Sequence, residues 1–248
     1  MTRVLLLGGT TEASAMARRL SQVGTDAVFS YAGRTRAPAE QPLPTRIGGF
    51  GGVAGLVSYL RAQNISHVID ATHPFAAGMS RNAATACAET GTRLIRLERA
   101  PWVAGAGDNW TTVDSLQDMP AALPDTPARV FLAIGKQQIA LFSAKPQHHY
   151  VLRLVDAPDA ALPLRHATVV LARGPFTIQG DTALMREHRI THVLAKNAGG
   201  TGAQAKLAAA RDLNLPVIMA DRPTISSAAL DSVDAVMNWL SHSELRGV

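Results

Sequence analysis

At 248 residues, 47% apolar and 17% charged, the chain is globular and can build one large α/β domain or two small ones. No apolar run reaches the roughly 18–20 residues of a membrane span, the run after Arg3 stops at Leu7, too short for a secretory leader, and the lone Cys87 excludes an intrachain disulfide, so a cytoplasmic protein is expected. The net charge of +5 is spread rather than clustered and aromatics are only 5%, which argues against nucleic acid and for a small anionic ligand.

In chain order, Val4–Leu7 is an apolar run without alternation, the pattern of a strand buried on both faces. Gly8 and Gly9 end it, and Ala13, Met16, Ala17 and Leu20 then recur on one helical stripe. A strand passing through glycine into a helix aims backbone N–H groups at an anion, and the Thr10 and Thr11 hydroxyls could cap the helix or touch that anion. Gly8-Gly9-Thr10-Thr11-Glu12 is not the full G-x-G-x-x-G fingerprint, so the turn by itself says only nucleotide.

A second strand, Ala27–Ser30, leads into Ser30-Tyr31-Ala32-Gly33-Arg34-Thr35-Arg36, where an NAD site would carry an acid. Here two arginines stand instead. Arg34 with Ser30 or Thr35 could hold a 2′-phosphate and favour NADPH over NADH; the plain alternative is a solvated basic loop. Strand Thr45–Ile47, a helix with Leu56, Val57 and Leu60 on one face, and strand Val68–Asp70 follow. Asp70-Ala71-Thr72-His73-Pro74-Phe75-Ala76 comes at that strand's carboxyl end, where open α/β sheets collect ligands. Pro74 suits a first helical turn, which puts Thr72 near an N-cap; His73 is either a proton donor or ligand contact, or incidental. Helix Ala76–Glu89, with Cys87 as a packing residue, and strand Arg93–Leu97 complete a nucleotide-binding half over 1–98.

Residues 99–111 read as a connector, with Trp102 and Trp110 as core pins rather than ligand shelves. A second α/β domain is expected over 112–248, with strands Val130–Ile134, Val151–Val155, Thr168–Ala172, His192–Ala195 and Val217–Met219. Its last helix carries Leu230, Val233, Val236, Met237 and Leu240 on one stripe. Two Rossmann-like α/β domains with mainly parallel sheets and a cleft between them are therefore expected. Lys196-Asn197-Ala198-Gly199-Gly200-Thr201-Gly202, followed by Lys206, repeats the strand, glycine turn and helix, with that helix starting near Gly202. With Lys136 and Arg173 at two other strand ends, these residues suggest a mouth for a polyanion, against the alternative of scattered surface charge. Asp221-Arg222 is as consistent with an ion pair as with a substrate contact. His148 and His149 point to opposite faces, and no ligand spacing supports a metal, so none is expected. No G-x-S-x-G elbow and no P-loop is present.

Gly8-Gly9-Thr10-Thr11-Glu12, Asp70–Ala76, Arg99-Ala100-Pro101-Trp102 and Lys196–Gly200 with Gly202 and Lys206 together resemble the precorrin-6A reductases, in order and over nearly the whole chain. Ala198 stands where that family often has serine. The resemblance implies NADPH-dependent reduction of the macrocycle precorrin-6A to precorrin-6B in cobalamin biosynthesis, with a proton supplied by His73 or a water. It implies a cofactor site of Gly8, Gly9, Thr10, Thr11, Glu12, Ser30, Gly33, Arg34, Thr35, Thr72 and His73. Lys136, Arg173, Lys196, Asn197, Gly199, Gly200, Thr201, Gly202 and Lys206 would meet the polycarboxylate tetrapyrrole. A monomer is expected. The alternatives are a cobalt-precorrin-6A reductase and a nonenzymatic protein that binds NADPH and tetrapyrroles.

Overall fold

The computed structural model describes residues 2–33, 38–158 and 160–245, so Arg34 and Thr35 of the expected cofactor site lie outside the described residues. The chain divides into two compact units. The first begins with β1 (Arg3–Leu7), α1 (Thr11–Gln22), β2 (Asp26–Tyr31), β3 (Thr45–Ile47), α2 (Gly52–Ala62), β4 (His67–Asp70), α3 (Ala77–Thr90) and β5 (Arg93–Leu97). Successive residues of a strand point to opposite faces, and both faces of β1 are covered. Val4 and Leu6 join one core layer with Met16 and Leu20 of α1, while Leu5 and Leu7 join the other with Leu56 and Leu60 of α2. This double burial explains why the run shows no alternation. Cys87 packs in the second layer, where burial pushes its thiol up to about 12, so it stays protonated.

The second unit spans 101–223. It contains β6 (Trp110–Val113), β7 (Arg129–Ala133), a 3-10 helix (Lys136–Ala144), β8 (His149–Leu154), β9 (Ala167–Leu171), α4 (Ile178–Glu187), β10 (His192–Lys196), α5 (Ala205–Asp212) and β11 (Val217–Ala220). The expected connector is more ordered than its composition suggests. Trp110 opens β6, which pairs in parallel with β11, and Asp108 accepts two hydrogen bonds from Arg211, each 2.9 Å.

The chain then returns to the first unit through β12 (Ala229–Leu230) and α6 (Val233–Leu245). This differs from the expected 112–248 domain. Val233, Val236, Met237 and Leu240 do form one apolar stripe of α6, but it packs in the layer containing Val4, Met16 and Ile95; Leu230, expected on the same helix, belongs instead to β12 and joins that layer from the strand. Leu230 O and Ala228 O accept from Glu98 N and Arg96 N, and His67 and Trp239 meet edge to face. A helical stripe specifies a buried face but not which sheet it covers, and a two-residue strand leaves almost no signal.

The first sheet runs β12-β5-β4-β1-β2-β3 and the second β6-β11-β10-β7-β8-β9, and every neighbouring pair is parallel. In the first, the chain moves outward from β1 through β2 and β3 and then crosses to β4 on the other side of β1. In the second, it moves from β7 through β8 and β9 and then crosses to β10. Each sheet thus has a topological switch point, between β1 and β4 and between β7 and β10. Ligands of open parallel sheets bind outside the carboxyl ends of strands at such points.

Three histidines at the amino end of the second sheet should make that unit acid-sensitive. His148 is fully buried and its Nδ1 accepts from Ala128 N; burial first, then the positive charge of Lys145, lowers its proton affinity. Burial also lowers the pKa of His149 and His192, the first residues of β8 and β10. A lowered folded-state pKa means the unfolded chain binds protons first, so this stability is present above about pH 6.5 and is lost as pH falls through the folded values. Urea unfolding should show a lower midpoint at about pH 5.5 than at about pH 7.5, and His148→Phe should flatten that difference. An equal midpoint at both values would show that these imidazoles remain accessible to protons in the folded unit.

Candidate functional site

The Gly-Gly-Thr-Thr-Glu turn and the Asp70–Ala76 segment leave β1 and β4, the two strands that flank the first switch point. Gly8 donates to Ser30 O at 3.0 Å, and a Cβ on it would lie 2.1 Å from the ring of Phe29, so the chain passes too close to the core there for a side chain. Gly9 has φ +128°, is exposed, and would meet nothing within 4 Å. Its backbone can be approached closely, as a phosphate group requires. Thr10 is the N-cap of α1: its Oγ1 accepts from Ala13 N at 3.0 Å and donates to Ala71 O at 2.8 Å, so one hydroxyl joins both switch-point loops. Thr11 Oγ1 donates to Glu12, and Glu12 is ion-paired with Arg99. Burial opposes the Glu12 charge, yet its own backbone N–H and Arg99 hold the carboxyl below its ordinary value. Thr11 and Glu12 therefore brace the turn.

The buried carboxylate of Asp70 organises the second loop. Its Oδ1 accepts from Thr72 N at 3.1 Å and Thr72 Oγ1 at 2.6 Å, and its Oδ2 accepts from Ser80 Oγ of α3 at 2.5 Å. Thr72 is consequently not a helix cap. The helix starts at Ala77 without a side-chain cap, and Pro74 sits buried in the preceding turn. An aspartate two residues before a threonine competes for its N–H by an Asx-type turn, which outweighs the proline signal. His73 is half-buried, and its Nδ1 accepts from Phe75 N at 3.1 Å, so its neutral form carries the hydrogen on Nε2.

At the end of β2, Ser30 is buried and its hydroxyl accepts from Arg46 of β3 at 2.8 Å. Arg46 also donates to Gly48 O and Gly49 O, and its guanidinium lies 3.8 Å from the ring centre of Phe50. Sequence reading missed Arg46, since an arginine on a three-residue strand reads as surface. The available signal was the glycine-rich turn after it together with Phe50 and Tyr59, both of which pack near its guanidinium. Gly33 is exposed with φ +73°.

In the second unit, β7 and β10 lead into Gly135-Lys136 and Asn197–Gln204, so Lys136 and Lys196 flank the same switch point. Lys196 Nζ donates to Gln138 Oε1 at 2.9 Å, and burial lowers its pKa to about 8. Lys136, Thr201 and Gly202 are exposed, as is Arg173 after β9. Two expected substrate residues turn inward. Asn197 pairs with the backbone of Trp102, accepting from its N at 2.8 Å and donating to its O at 3.0 Å. Lys206 is buried, donates to Ala203 O at 2.6 Å and lies 5.0 Å from the ring centre of Trp102. Trp102 Nε1 donates to Gly200 O, and Arg222 donates to the carbonyls of Asn197 and Ala198. Gly199 and Gly200, with φ +67° and +70°, make a loop held from beneath by these groups. The helix after it begins at Ala205 rather than Gly202, because the loop is closed by backbone bonds such as Gln204 N to Thr201 O.

Among the described residues, no group of three or more His, Cys, Asp or Glu is placed to hold a metal, and no helix is long and apolar enough to cross a membrane.

Parallel sheets with glycine turns at both switch points place the chain in the class of doubly wound α/β proteins that bind ligands at strand ends. Residues 3–241 match the family described as precorrin-6x reductase CbiJ/CobK, and the chain belongs to that family. It is 64% identical over 242 residues to the precorrin-6A reductase of Rhodobacter capsulatus, covering 97% of this chain and 96% of that one. A cobalt-precorrin-6A reductase of Priestia megaterium is 28% identical over 251 residues, covering 95% and 98%. The solved structure of a CobK precorrin-6A reductase superimposes with a TM-score of 0.94 at 64% identity, over 98% of this chain and 97% of that chain.

Proposed function

We propose that this protein reduces precorrin-6A to precorrin-6B with NADPH, a step of cobalamin biosynthesis, as a monomer in the cytoplasm. The observation that carries the reading is a family match along almost the whole chain whose distinctive motifs fall at the switch points of the two sheets. The cobalt-free substrate is preferred because the relative at 64% identity is named for precorrin-6A and the one at 28% for its cobalt form.

The first unit fits a nicotinamide dinucleotide. Gly9 offers open backbone where a Cβ would meet nothing, and the capped N-terminus of α1 favours negative charge. The backbone N–H groups of Gly9, Thr10 and Thr11 would hold the pyrophosphate, while the Gly8 N–H, bonded to Ser30 O, and the Thr11 side chain with Glu12 brace the turn. The Nε2–H of His73 would donate from the neighbouring loop, where Thr72, whose N–H and O–H both go to Asp70, would offer only the free lone pair of its Oγ1. Arg34, with Thr35 and Gly33, would take the 2′-phosphate, the buried Ser30 serving beneath them as the acceptor that positions Arg46, and this assignment makes the cofactor NADPH. When bound, the cofactor supplies hydride; the protein's part is orientation and charge. In the second unit, Lys136, Arg173 and the Gly200–Gly202 backbone would meet substrate carboxylates, Lys196 would face the macrocycle from the end of β10, and Asn197, Gly199 and Lys206 shape the loop.

Purified protein should consume NADPH, followed by nicotinamide absorbance, only when precorrin-6A is added. Binding of both ligands without turnover would instead indicate a nonenzymatic carrier. Arg34→Ala should weaken NADPH binding about 10–150-fold, equivalent to about 1.5–3 kcal/mol for a charge-assisted contact, while leaving NADH binding nearly unchanged. Equal losses for both cofactors would assign the 2′-phosphate to another residue.

A further inference from the structure

All four lysines of the chain, Lys136, Lys145, Lys196 and Lys206, fall in the second unit, and their surroundings separate them. Lys145 is ion-paired with Asp125, Lys206 is buried against Ala203 O beneath the glycine loop, and Lys136 stands exposed on its turn. Lys196 is different. It is the last residue of β10, beside the switch point with β7, half-buried, and its ammonium donates to the neutral side-chain amide of Gln138.

We propose that Lys196 is the proton donor of the reduction, delivering one proton from Nζ to the conjugated macrocycle, with Gln138 as its positioning residue. The inference rests on the functional reading above, which brings the macrocycle to this strand edge. The step balances: the conjugated system accepts a hydride from the dihydronicotinamide, which leaves as NADP⁺, and a proton from the Lys196 ammonium. A C–H bond forms at each of two carbons, one N–H bond of Lys196 breaks, and the neutral amine regains a proton from solvent.

Three features support it. Burial brings the ammonium down to about 8, so it is mainly charged at neutral pH and still acidic enough to give its proton up. The bond to Gln138 Oε1 survives that loss, because a neutral amine still donates N–H to a carbonyl oxygen. His73 is less suited to cycling a proton, since its Nδ1 accepts from Phe75 N and the imidazolium form would forfeit that bond.

The test compares wild type with Lys196→Arg, Lys196→Met and Gln138→Glu. Substrate affinity is read by absorbance titration with precorrin-6A in the absence of cofactor, and hydride transfer by single-turnover kinetics across pH. Arginine keeps the charge but does not deprotonate in the working range. Lys196→Arg should bind precorrin-6A within about threefold of wild type, transfer hydride at least about 100-fold more slowly, and lack the alkaline fall in rate expected near 8 for wild type. Lys196→Met should lose both affinity and rate. Gln138→Glu should move the alkaline fall upward, because a carboxylate stabilises the ammonium. A Lys196→Arg protein that transfers hydride within about threefold of wild type with the same alkaline fall overturns the proposal and makes Lys196 a carboxylate anchor only. Should Lys196→Arg fail to bind, Gln138→Glu decides: an unmoved profile overturns the assignment and a raised one supports it. Failure of wild type to bind or reduce precorrin-6A would count against the functional reading instead.

Discussion

Asp181→Ala is expected to destabilise the protein by about 3–5 kcal/mol, the usual result of removing one partner from a buried ion pair. Asp181 lies in the first turn of α4, 2% exposed, paired with Arg153 of β8. The Arg153 guanidinium is itself nearly buried, 3.5 Å from the ring centre of Phe176. The same carboxylate supports the charged form of Lys206, against burial and the charge of Arg153, which together lower that lysine to about 8. Without Asp181, two cations remain in a region closed to water. Urea unfolding measures the loss, and Asp181→Leu combined with Arg153→Met should recover most of it, since a matched apolar pair leaves no orphan charge. A single-mutant cost below about 1 kcal/mol would mean that solvent reaches the cluster.

The second large effect is expected at Asp70. Asp70→Ala removes the acceptor of three hydrogen bonds and strands Thr72 N, Thr72 Oγ1 and Ser80 Oγ. Hydrogen bonds to a charged group contribute about 1.5–3 kcal/mol each, but neighbouring losses are not additive, so a total near 3–4 kcal/mol is expected. Asp70→Asn keeps acceptor capacity on one oxygen and should cost roughly half as much. Because the carboxylate shapes the loop bearing Thr72 and His73, NADPH affinity of the folded variant, measured by fluorescence titration, should fall as well. Wild-type affinity in a destabilised Asp70→Ala protein would separate the loop from the cofactor site.

Much of this was legible in the residues. Val4–Leu7 announced a doubly covered strand by lacking alternation, the stripes of α1 and α6 are the ones that are buried, and Thr10 caps where its position before the first apolar turn placed it. What the sequence hid was partnership. Nothing local tells that α6 covers the first sheet, that β12 pairs with β5, or that Arg46 reaches across to Ser30. The glycine loop shows the same limit. Lys206 and Asn197 read as ligand donors because of their type and place in a turn, yet long-range contacts with Trp102 draw both inward. Charge next to glycine marks an anion-friendly turn, but burial decides which side of it a lysine occupies.

The return of β12 and α6 to the first sheet makes residues 101–223 an insertion within a discontinuous unit. During synthesis the inserted segment is complete and can close its own sheet while the first sheet still lacks its outer strand and the helix covering Met16 and Ile95. The amino-terminal unit is thus begun first and finished last. Its final closure pairs Leu97 with Leu230 across more than half the chain, so the slowest long-range step of folding falls on the unit assigned to the cofactor.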